Sequence, residues 1–298
     1  MIKIGTRGSA LALWQANFVA GQLKEEHAIV TIKTKGDRIQ NVSFDKIEGK
    51  GFFTKELEDA LLSGTIDMAV HSMKDLPTDD TQGLAVAAVT KREDPSDIII
   101  IRPEAYRANH WFPLKEHTKV GTSSLRRVAQ LKCILSSAEA VPLRGNVPTR
   151  IRRLREGKFD AIILAKAGLK RLGVDLSGFY SMALPFSYFL PSPGQGALAI
   201  QVRSDDKNAI EAVKHLHDEA TAKSVQAERQ FLKAFGAGCH VPLGAFAHCV
   251  DETVILTGVI LSVDGTRYFR HTIEDTDPIR AGDRLAHFMI GQGAEKLL

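Results

Sequence analysis

The sequence predicts an α/β fold with two similar lobes, each on a mainly parallel mixed sheet, followed by a smaller α+β domain. Three observations predict it. A strand, a small-residue turn and an apolar helical stripe follow one another at 2–18, and the same order returns at 119–131. A helix end, a glycine and a buried strand recur at 61–70 and 154–163. After residue 206, two helical segments lead into a run of short strands and a closing helix.

The two strand-turn-helix segments place their turns where ligands bind on such sheets, outside the carboxyl ends of the strands. A helix start offers free N–H groups and the positive end of a dipole, which suits an anion. Either turn alone could be an ordinary N-cap. The first turn carries Arg7 and Ser9, and the second carries Ser124, Arg126 and Arg127. The arginines and serines in these two turns favour an anion site over ordinary N-caps.

A segment rich in proline and glycine, at 190–196, precedes a strand-like run at 197–202. The segment at 190–196 could carry the chain back to the first lobe. The predicted domains are therefore 1–94 with 197–214 for the first lobe, 95–196 for the second lobe, and 215–298 for the C-terminal domain.

The net charge is only +4 over 298 residues, so anion binding requires a local concentration of cations. Arg144, Arg150 and Arg171 follow strand ends of the second lobe. Arg126 and Arg127 lie in the first turn of a helix, where cations oppose the helix dipole, so local stability does not explain them. Nucleic acid is disfavoured because the arginines fall at strand ends and no nucleic-acid fold signature occurs. A carboxylate ligand is favoured.

The segment from His71 to Asp75 ends another strand at the same edge. Asp75 beside Lys74 could be a surface ion pair worth ~0 to 1 kcal/mol. In a desolvated pocket, the carboxylate could instead accept a proton or stabilise a cation formed during a reaction. His71 is left without a role, because an inward-facing histidine at a strand end is more often structural.

The three cysteines are too few and too scattered for a disulfide framework or a zinc site, and no metal site is expected. Cys133 and Cys249 are predicted to belong to the core. Cys239 lies in a glycine-rich loop beside His240, which fits either a reactive thiolate or a tight turn. No signal peptide or membrane-spanning stretch is found, so a cytoplasmic protein is expected.

Several motifs, spread over nearly the whole chain, resemble the porphobilinogen deaminase (hydroxymethylbilane synthase) family. They are Gly-Thr-Arg-Gly-Ser-Ala-Leu-Ala-Leu-Trp-Gln-Ala at 5–16, Gly-Lys-Gly-Phe-Phe-Thr-Lys-Glu-Leu-Glu at 49–58, His-Ser-Met-Lys-Asp-Leu-Pro at 71–77, Lys-Arg-Glu-Asp-Pro at 91–95, Val-Gly-Thr-Ser-Ser-Leu-Arg-Arg at 120–127, Leu-Arg-Gly-Asn-Val-x-Thr-Arg at 143–150, Pro-Gly-Gln-Gly-Ala at 193–197 and Gly-Cys at 238–239.

The resemblance implies a transferase that joins four porphobilinogens into a linear tetrapyrrole with release of ammonia, on the route to haem and other tetrapyrroles. It also implies that the first two domains are similar in fold to periplasmic binding proteins. A monomer that binds neither nucleic acid nor membrane is expected.

The resemblance also gives roles to individual residues. Cys239 would hold a dipyrromethane cofactor by a thioether, and Asp75 would stabilise the azafulvenium cation formed when ammonia leaves, assisted by Lys74 and Arg7. The remaining cofactor-binding residues would be Lys74, Asp75, Thr122, Ser124, Arg126, Arg127, Arg144 and Gln195. The substrate-binding residues would be Arg7, Ser9, Arg144, Arg150 and Arg171. Lys46, Lys50 and Phe53 match a mobile loop over the site.

The chemistry of this ligand agrees with the basic residues. Each ring carries two carboxylates, so six rings bring roughly twelve negative charges, which need a local cluster of bidentate donors. The alternative is a non-catalytic two-lobed carboxylate-binding protein. It would explain the arginines but would leave Cys239 and the third domain without a role.

Overall fold

The structure, a computed structural model, describes residues 1–34, 54–236 and 241–298. The described strands are β1 Ile2–Thr6, β2 His27–Thr31, β3 Met68–Ser72, β4 Leu84–Val89, β5 Asp97–Ile101, β6 Lys119–Gly121, β7 Glu139–Val141, β8 Ala161–Ala165, β9 Tyr180–Ala183, β10 Leu198–Arg203, β11 Leu243–Val250, β12 Thr253–Leu261 and β13 Tyr268–Asp275. The described α-helices are α1 Ala10–Ala20, α2 Lys55–Leu62, α3 Leu125–Ile134, α4 Val147–Arg155, α5 Lys166–Leu172, α6 Lys207–Val213, α7 Glu219–Ala234 and α8 Pro278–Gly291. No described helix is long and apolar enough to cross a bilayer.

The first lobe is built on a five-stranded sheet with the order β2-β1-β3-β10-β4. β1 is parallel to β2 and β3, while β10 is antiparallel to both of its neighbours, β3 and β4. Among the strands described in this sheet, β10 alone is therefore reversed.

The second lobe repeats this plan in the order β7-β6-β8-β5-β9. β6 is parallel to β7 and β8, and β5 is antiparallel to β8 and β9. The reversed strand in each sheet is the one that enters from the other lobe. The predicted pair of similar lobes with mainly parallel mixed sheets is confirmed.

Two segments cross between the lobes, at 90–96 and 184–197, and they lie against each other. The N–H of Glu93 donates to the carbonyl of Gly196 (3.2 Å). Gly196 has a φ of +93°, and a Cβ there would collide with the carbonyl oxygen of Glu93. Glycine is required at this position because any side chain would push the two crossing segments apart.

The sheets of both lobes are covered by helices. In the first lobe, Ile4, Met68 and Val19 are buried in one cluster, while Leu57 and Leu61 of α2 form another. Each fully buried side chain of this size contributes about 1.5–3 kcal/mol of transfer free energy. This packing gives the strand ends a rigid support.

The third unit is an antiparallel sheet, β11-β12-β13, covered by α7 and α8. Phe231 of α7 and Leu285 of α8 are both fully buried, and a Cβ added at Gly258 of β12 would meet both of them. The predicted smaller α+β unit is confirmed.

The prediction that Cys133 belongs to the core is wrong, because Cys133 is exposed. Leu131, two positions earlier on α3, is fully buried, and two helical residues later the chain faces the opposite side. Cys249 is half-buried in β11 and packs against the core of the third unit.

Candidate active site

The carboxyl ends of the parallel strands of both lobes carry the predicted site residues. A short 3-10 helix, Met73–Asp75, follows β3 and is anchored by the buried side chain of Met73. Arg229 of α7 donates to the carbonyls of Leu76 (2.9 Å) and Pro77 (2.6 Å). The buried Met73 and the hydrogen bonds from Arg229 therefore fix this segment, while Asp75 remains exposed.

Side chains from both lobes act on one another around Asp75. Burial lowers the pKa of Lys74 and that of Arg150, which lies on α4 of the second lobe, and in both residues the Asp75 charge opposes this effect. Arg126 and Arg127 of the second lobe lower the pKa of Lys74. We call the set Arg7, Lys74, Asp75, Arg126, Arg127, Arg150 and Gln195 the interlobe site.

Lys74 is half-buried in the interlobe site. Burial is the main cause that lowers its pKa to about 8, with Asp75 and Asp97 acting in the opposite direction. Its Nζ donates to Oε1 of Gln195 (3.3 Å). Lys74 therefore titrates near physiological pH, unlike an ordinary lysine.

Arg126 and Arg127 converge on Asp97, which is fully buried at the start of β5. Arg126 Nη1 lies 2.7 Å from Oδ2 of Asp97, and Arg127 Nη2 lies 2.7 Å from Oδ1. Arg126 also donates to the carbonyl of Leu190 (2.6 Å) and Arg127 to that of Ile163 (3.1 Å). The two arginines thus have an internal anion and a structural purpose, contrary to the expectation that local stability does not explain them.

Asp97 was not identified from the sequence. Burial acts to raise its pKa, but Arg126 and Arg127 outweigh this effect and hold the pKa well below its usual value. A signal was present: Asp97 opens the strand Asp97–Ile101, whose other four residues are isoleucines. A charge in a wholly buried strand requires a partner, and the partner had to be cationic.

Gln195, on the second crossing segment, connects the two lobes at this point. Its Nε2 donates to Asp97 Oδ1 (2.9 Å) and to the carbonyl of Pro95 (2.8 Å), and its Oε1 accepts from Lys74. Its own carbonyl accepts from Nε of Arg92 (2.8 Å). The side chain therefore couples the Lys74 amine to the buried carboxylate.

The two glycine-threonine turns behave differently. Ser9 is the N-cap of α1 and accepts from the N–H of Ala12 (3.2 Å), as an ordinary cap does. Ser124 is the N-cap of α3, but within the described residues its hydroxyl makes no capping hydrogen bond. The buried Thr122 accepts from the N–H of Ser124 (3.3 Å). In the part of the chain that is described, the side chain at the N-cap therefore satisfies a helix N–H in the first turn but not in the second.

Arg150 is half-buried, with its Nε donating to the carbonyl of Gly145 (2.7 Å). Desolvation lowers its pKa to about 10; Arg127 and Arg153 act in the same direction, and Asp75 in the opposite one. The cationic form of Arg150 is therefore poorly compensated where it stands.

The other predicted binding arginines are placed differently. Arg171 donates to the carbonyl of Gly196 (2.6 Å), and its guanidinium lies 5.7 Å from the ring centroid of Trp14 in the first lobe. It therefore connects the lobes. Arg144 is half-buried after β7, and its carbonyl accepts from Arg153 (3.3 Å). Arg7 is half-buried after β1.

His71 is buried at the end of β3. Burial lowers its pKa to about 4; the hydrogen bond with Gln201 (3.1 Å) opposes this effect, and Arg7 adds to it. His71 is therefore neutral at physiological pH.

Four predicted residues, Lys46, Lys50, Phe53 and Cys239, lie outside the described residues. Within the parts of the chain that are described, no group of three or more His, Cys, Asp or Glu side chains could hold a metal ion.

The fold and the site together define a two-lobed α/β protein in which cations of both lobes surround an exposed carboxylate. A family model described as "Porphobilinogen deaminase, dipyromethane cofactor binding domain" matches residues 2–211, and its "Porphobilinogen deaminase, C-terminal domain" matches residues 222–291. The chain belongs to the porphobilinogen deaminase family.

Relatives named porphobilinogen deaminase match over the whole chain. The protein of Carboxydothermus hydrogenoformans is 43% identical over 302 residues, covering 99% of this chain and 95% of the relative. That of Nitrosomonas europaea is 45% identical over 307 residues, covering 100% and 97%. Among solved structures, the second substrate binding domain of a putative amino acid ABC transporter from Streptococcus pneumoniae matches with a TM-score of 0.43 and 14% identity, over 79% of this chain and 94% of that one.

Proposed function

We propose that the chain is a hydroxymethylbilane synthase. It joins four porphobilinogen molecules head to tail with release of ammonia, on a covalently bound dipyrromethane primer, and releases the linear tetrapyrrole by hydrolysis. The observation that carries this proposal is that the charge of Asp75 acts on a cation of each lobe, Lys74 of the first and Arg150 of the second. A carboxylate among incompletely compensated cations suits a reaction that develops positive charge on a polyanionic substrate.

The chemistry of the donor set fits a dipyrromethane. Desolvation and neighbouring cations disfavour the charged forms of Lys74 and Arg150, and ligand carboxylates would restore the balance. The bound group would supply the pyrrole carbon to which the first substrate unit is joined. We propose Cys239 as its covalent attachment. The residues proposed to hold it are Lys74, Asp75, Thr122, Ser124, Arg126, Arg127, Arg144 and Gln195.

The chain's own residues would divide the work at the substrate. The exposed Asp75 carboxylate would accept a hydrogen bond from a pyrrole N–H and stabilise the positive charge that develops as ammonia leaves. Lys74 is mostly protonated at neutral pH, since its pKa is about 8, and would assist Asp75 together with Arg7. The residues proposed to hold substrate carboxylates are Arg7, Ser9, Arg144, Arg150 and Arg171. The Ser9 hydroxyl accepts in its cap, so its own hydrogen can still be donated.

The organisation of the chain follows the same proposal. The domains would be 1–94 with 197–214, 95–196, and 215–298, with Cys239 on the third. Lys46, Lys50 and Phe53 would belong to a loop over the site. We propose a cytoplasmic monomer that takes porphobilinogen as its small-molecule substrate and serves haem or another tetrapyrrole end product.

The intact mass of the purified full-length protein tests the primer and its attachment. We expect an excess over the sequence mass equal to two substrate units less the ammonia released. The excess should disappear in Cys239→Ser and persist in the matched control Cys249→Ser, because Cys249 is half-buried in β11. An unmodified chain with full activity would falsify the proposal.

A further inference from the structure

Asp97 lies directly behind the interlobe site and has no surface of its own. It is fully buried, and its two oxygens receive hydrogen bonds from Arg126 (2.7 Å), Arg127 (2.7 Å) and Gln195 (2.9 Å). An ionised carboxylate persists in such a place only when charged donors surround it. All three of these donors belong to the interlobe site.

The first consequence of this arrangement is the direction of the two arginines. Neighbouring residues on a helix leave its axis about 100° apart, so their side chains ordinarily diverge. Arg126 and Arg127 instead converge because each oxygen of Asp97 accepts from one of them. The carbonyls of Leu190 and Ile163 complete the positioning. Among these contacts, the carboxylate of Asp97 is the acceptor that the two guanidiniums share.

The second consequence concerns Lys74. The amide N–H groups of Gln195 are taken by the carboxylate of Asp97 and the carbonyl of Pro95, which are both acceptors. The amide can satisfy both only with its nitrogen on their side, so its oxygen must face Lys74. The Nζ of Lys74 lies 3.3 Å from that oxygen. The orientation of Gln195, which presents an acceptor to Lys74, is therefore set by Asp97 together with the carbonyl of Pro95.

We propose that Asp97 is a positioning residue of the interlobe site: its carboxylate aligns Arg126 and Arg127 as a pair and, through Gln195, holds the ammonium of Lys74 beside Asp75. The consequence for catalysis rests on the proposed function. The geometric role does not, because it concerns contacts within the chain.

The positioning role of Asp97 can be tested through the pKa of Lys74. Burial lowers its pKa most; Arg127 and Arg126 lower it further, whereas Asp75 and Asp97 raise it. The Asp97→Asn substitution keeps the shape of the side chain but removes its negative charge. The positive charges of Arg126 and Arg127 remain. The ammonium form of Lys74 should therefore be less favourable in this variant than in the parent protein.

The test is competitive acetylation of the full-length protein with trace acetic anhydride across a pH series, read for each lysine by mass spectrometry. The measurement is made on the protein as purified and again on variants that also carry Cys239→Ser. In the latter, no primer carboxylates would contribute to the pKa of Lys74. We expect the titration midpoint of Lys74 to fall by about one pH unit in Asp97→Asn. Asp94→Asn, three residues earlier on the first crossing segment, is the matched control: it removes a partner of Lys166 (2.6 Å) and should leave Lys74 unchanged.

A second readout separates positioning from simple destabilisation. In Asp97→Asn, the KM for porphobilinogen should rise about tenfold or more, as expected when charge-assisted hydrogen bonds lose their alignment. A variant that was merely less stable would lose active protein and would leave KM unchanged.

If Asp97→Asn does not fold, Gln195→Met decides the question. It keeps the Asp97–arginine contacts but removes an acceptor of Lys74, so the midpoint of Lys74 should again fall. An unchanged Lys74 midpoint in the folded variant overturns the proposal. Absence of primer in the intact mass would count against the proposed function alone, because the acetylation midpoint is read without primer.

Discussion

Lys74 and Asp75 are neighbours in the chain with opposite surroundings. Asp75 is exposed, whereas Lys74 is half-buried between the amide of Gln195 and the charges of the second lobe. The charge of Asp75 is screened by solvent more than that of Lys74, so the two residues should respond differently to substitution.

Replacing Asp75 by Asn should lower turnover by about 100 to 1000-fold, because the amide cannot stabilise a developing positive charge. Attachment of the primer should largely survive. Steady-state rates and intact mass measure the two effects. Asp79→Asn, four residues along on an exposed position, is the control and should behave as the parent protein. Near-normal turnover of Asp75→Asn would remove the proposed role of this carboxylate.

The pH dependence of substrate binding should follow Lys74. Its pKa is lowered to about 8, so the ammonium is present below that pH and is lost as the pH rises through it. Affinity for porphobilinogen should therefore weaken above about pH 8. Lys74→Arg keeps its charge and should retain affinity up to about pH 10. Isothermal titration across the range compares them, and parallel curves for the two proteins would contradict the assignment.

At the scale of the elements, the second crossing segment carries a glycine that leaves no room for a side chain. Gly196 and Gly178 both have positive φ, but only Gly196 faces a nearby carbonyl, that of Glu93, whereas a Cβ at Gly178 meets nothing within 4 Å. Replacing each glycine by alanine therefore distinguishes two costs. At Gly178 only the left-handed backbone is strained, whereas at Gly196 a close backbone contact is added.

Gly178→Ala should cost about 1–2 kcal/mol of unfolding free energy, from the left-handed backbone alone. Gly196→Ala should cost more, about 3 kcal/mol or above, because the two crossing segments must also separate. Urea unfolding measures both free energies. Equal losses would mean that the crossing segments adjust freely.

The elements that could be predicted from the sequence are those with local signals. Strand, turn and helix follow one another in both lobes because their periodicity is a property of neighbouring residues. The reversal of β5 and β10 depends on pairing between distant segments, which no local pattern contains.

The residues of the candidate site likewise fall into those that local motifs could identify and those that they could not. The motifs placed Asp75, Lys74 and the arginines at strand ends, but they did not reveal Asp97. The misassignment of Cys133 has a related cause: the buried face of α3 carries Arg126, Arg127 and Gln130, so the apolar stripe did not mark the buried side. Polar residues that are paired inside the protein look like surface residues in a sequence.

Across the whole molecule, a buried ion pair joins the first crossing segment to the third unit. Arg92 contacts both oxygens of Glu228 on α7, at 2.6 and 2.9 Å. Glu228 is fully buried and also accepts from the N–H groups of Gly194 and Ala247. Both crossing segments and β11 therefore meet at one carboxylate.

Glu228→Gln should destabilise the protein by about 3–5 kcal/mol, because the buried guanidinium of Arg92 loses its counter-charge. The urea midpoint measures the loss. Glu211→Gln removes the exposed partner of Lys214 and should leave the midpoint where it is. A midpoint unchanged in Glu228→Gln would show that this ion pair is not needed to hold the third unit in place.

The reversed strands also set the order in which a growing chain can become complete. Every described strand of the second sheet lies within 97–183, whereas the first sheet needs β10, which ends at Arg203 and sits between β3 and β4. On the ribosome, the lobe that is translated first must therefore wait for a strand made after the other lobe is finished. During that interval, β3 and β4 have open edges, and the nascent protein is then most prone to mispairing with other chains.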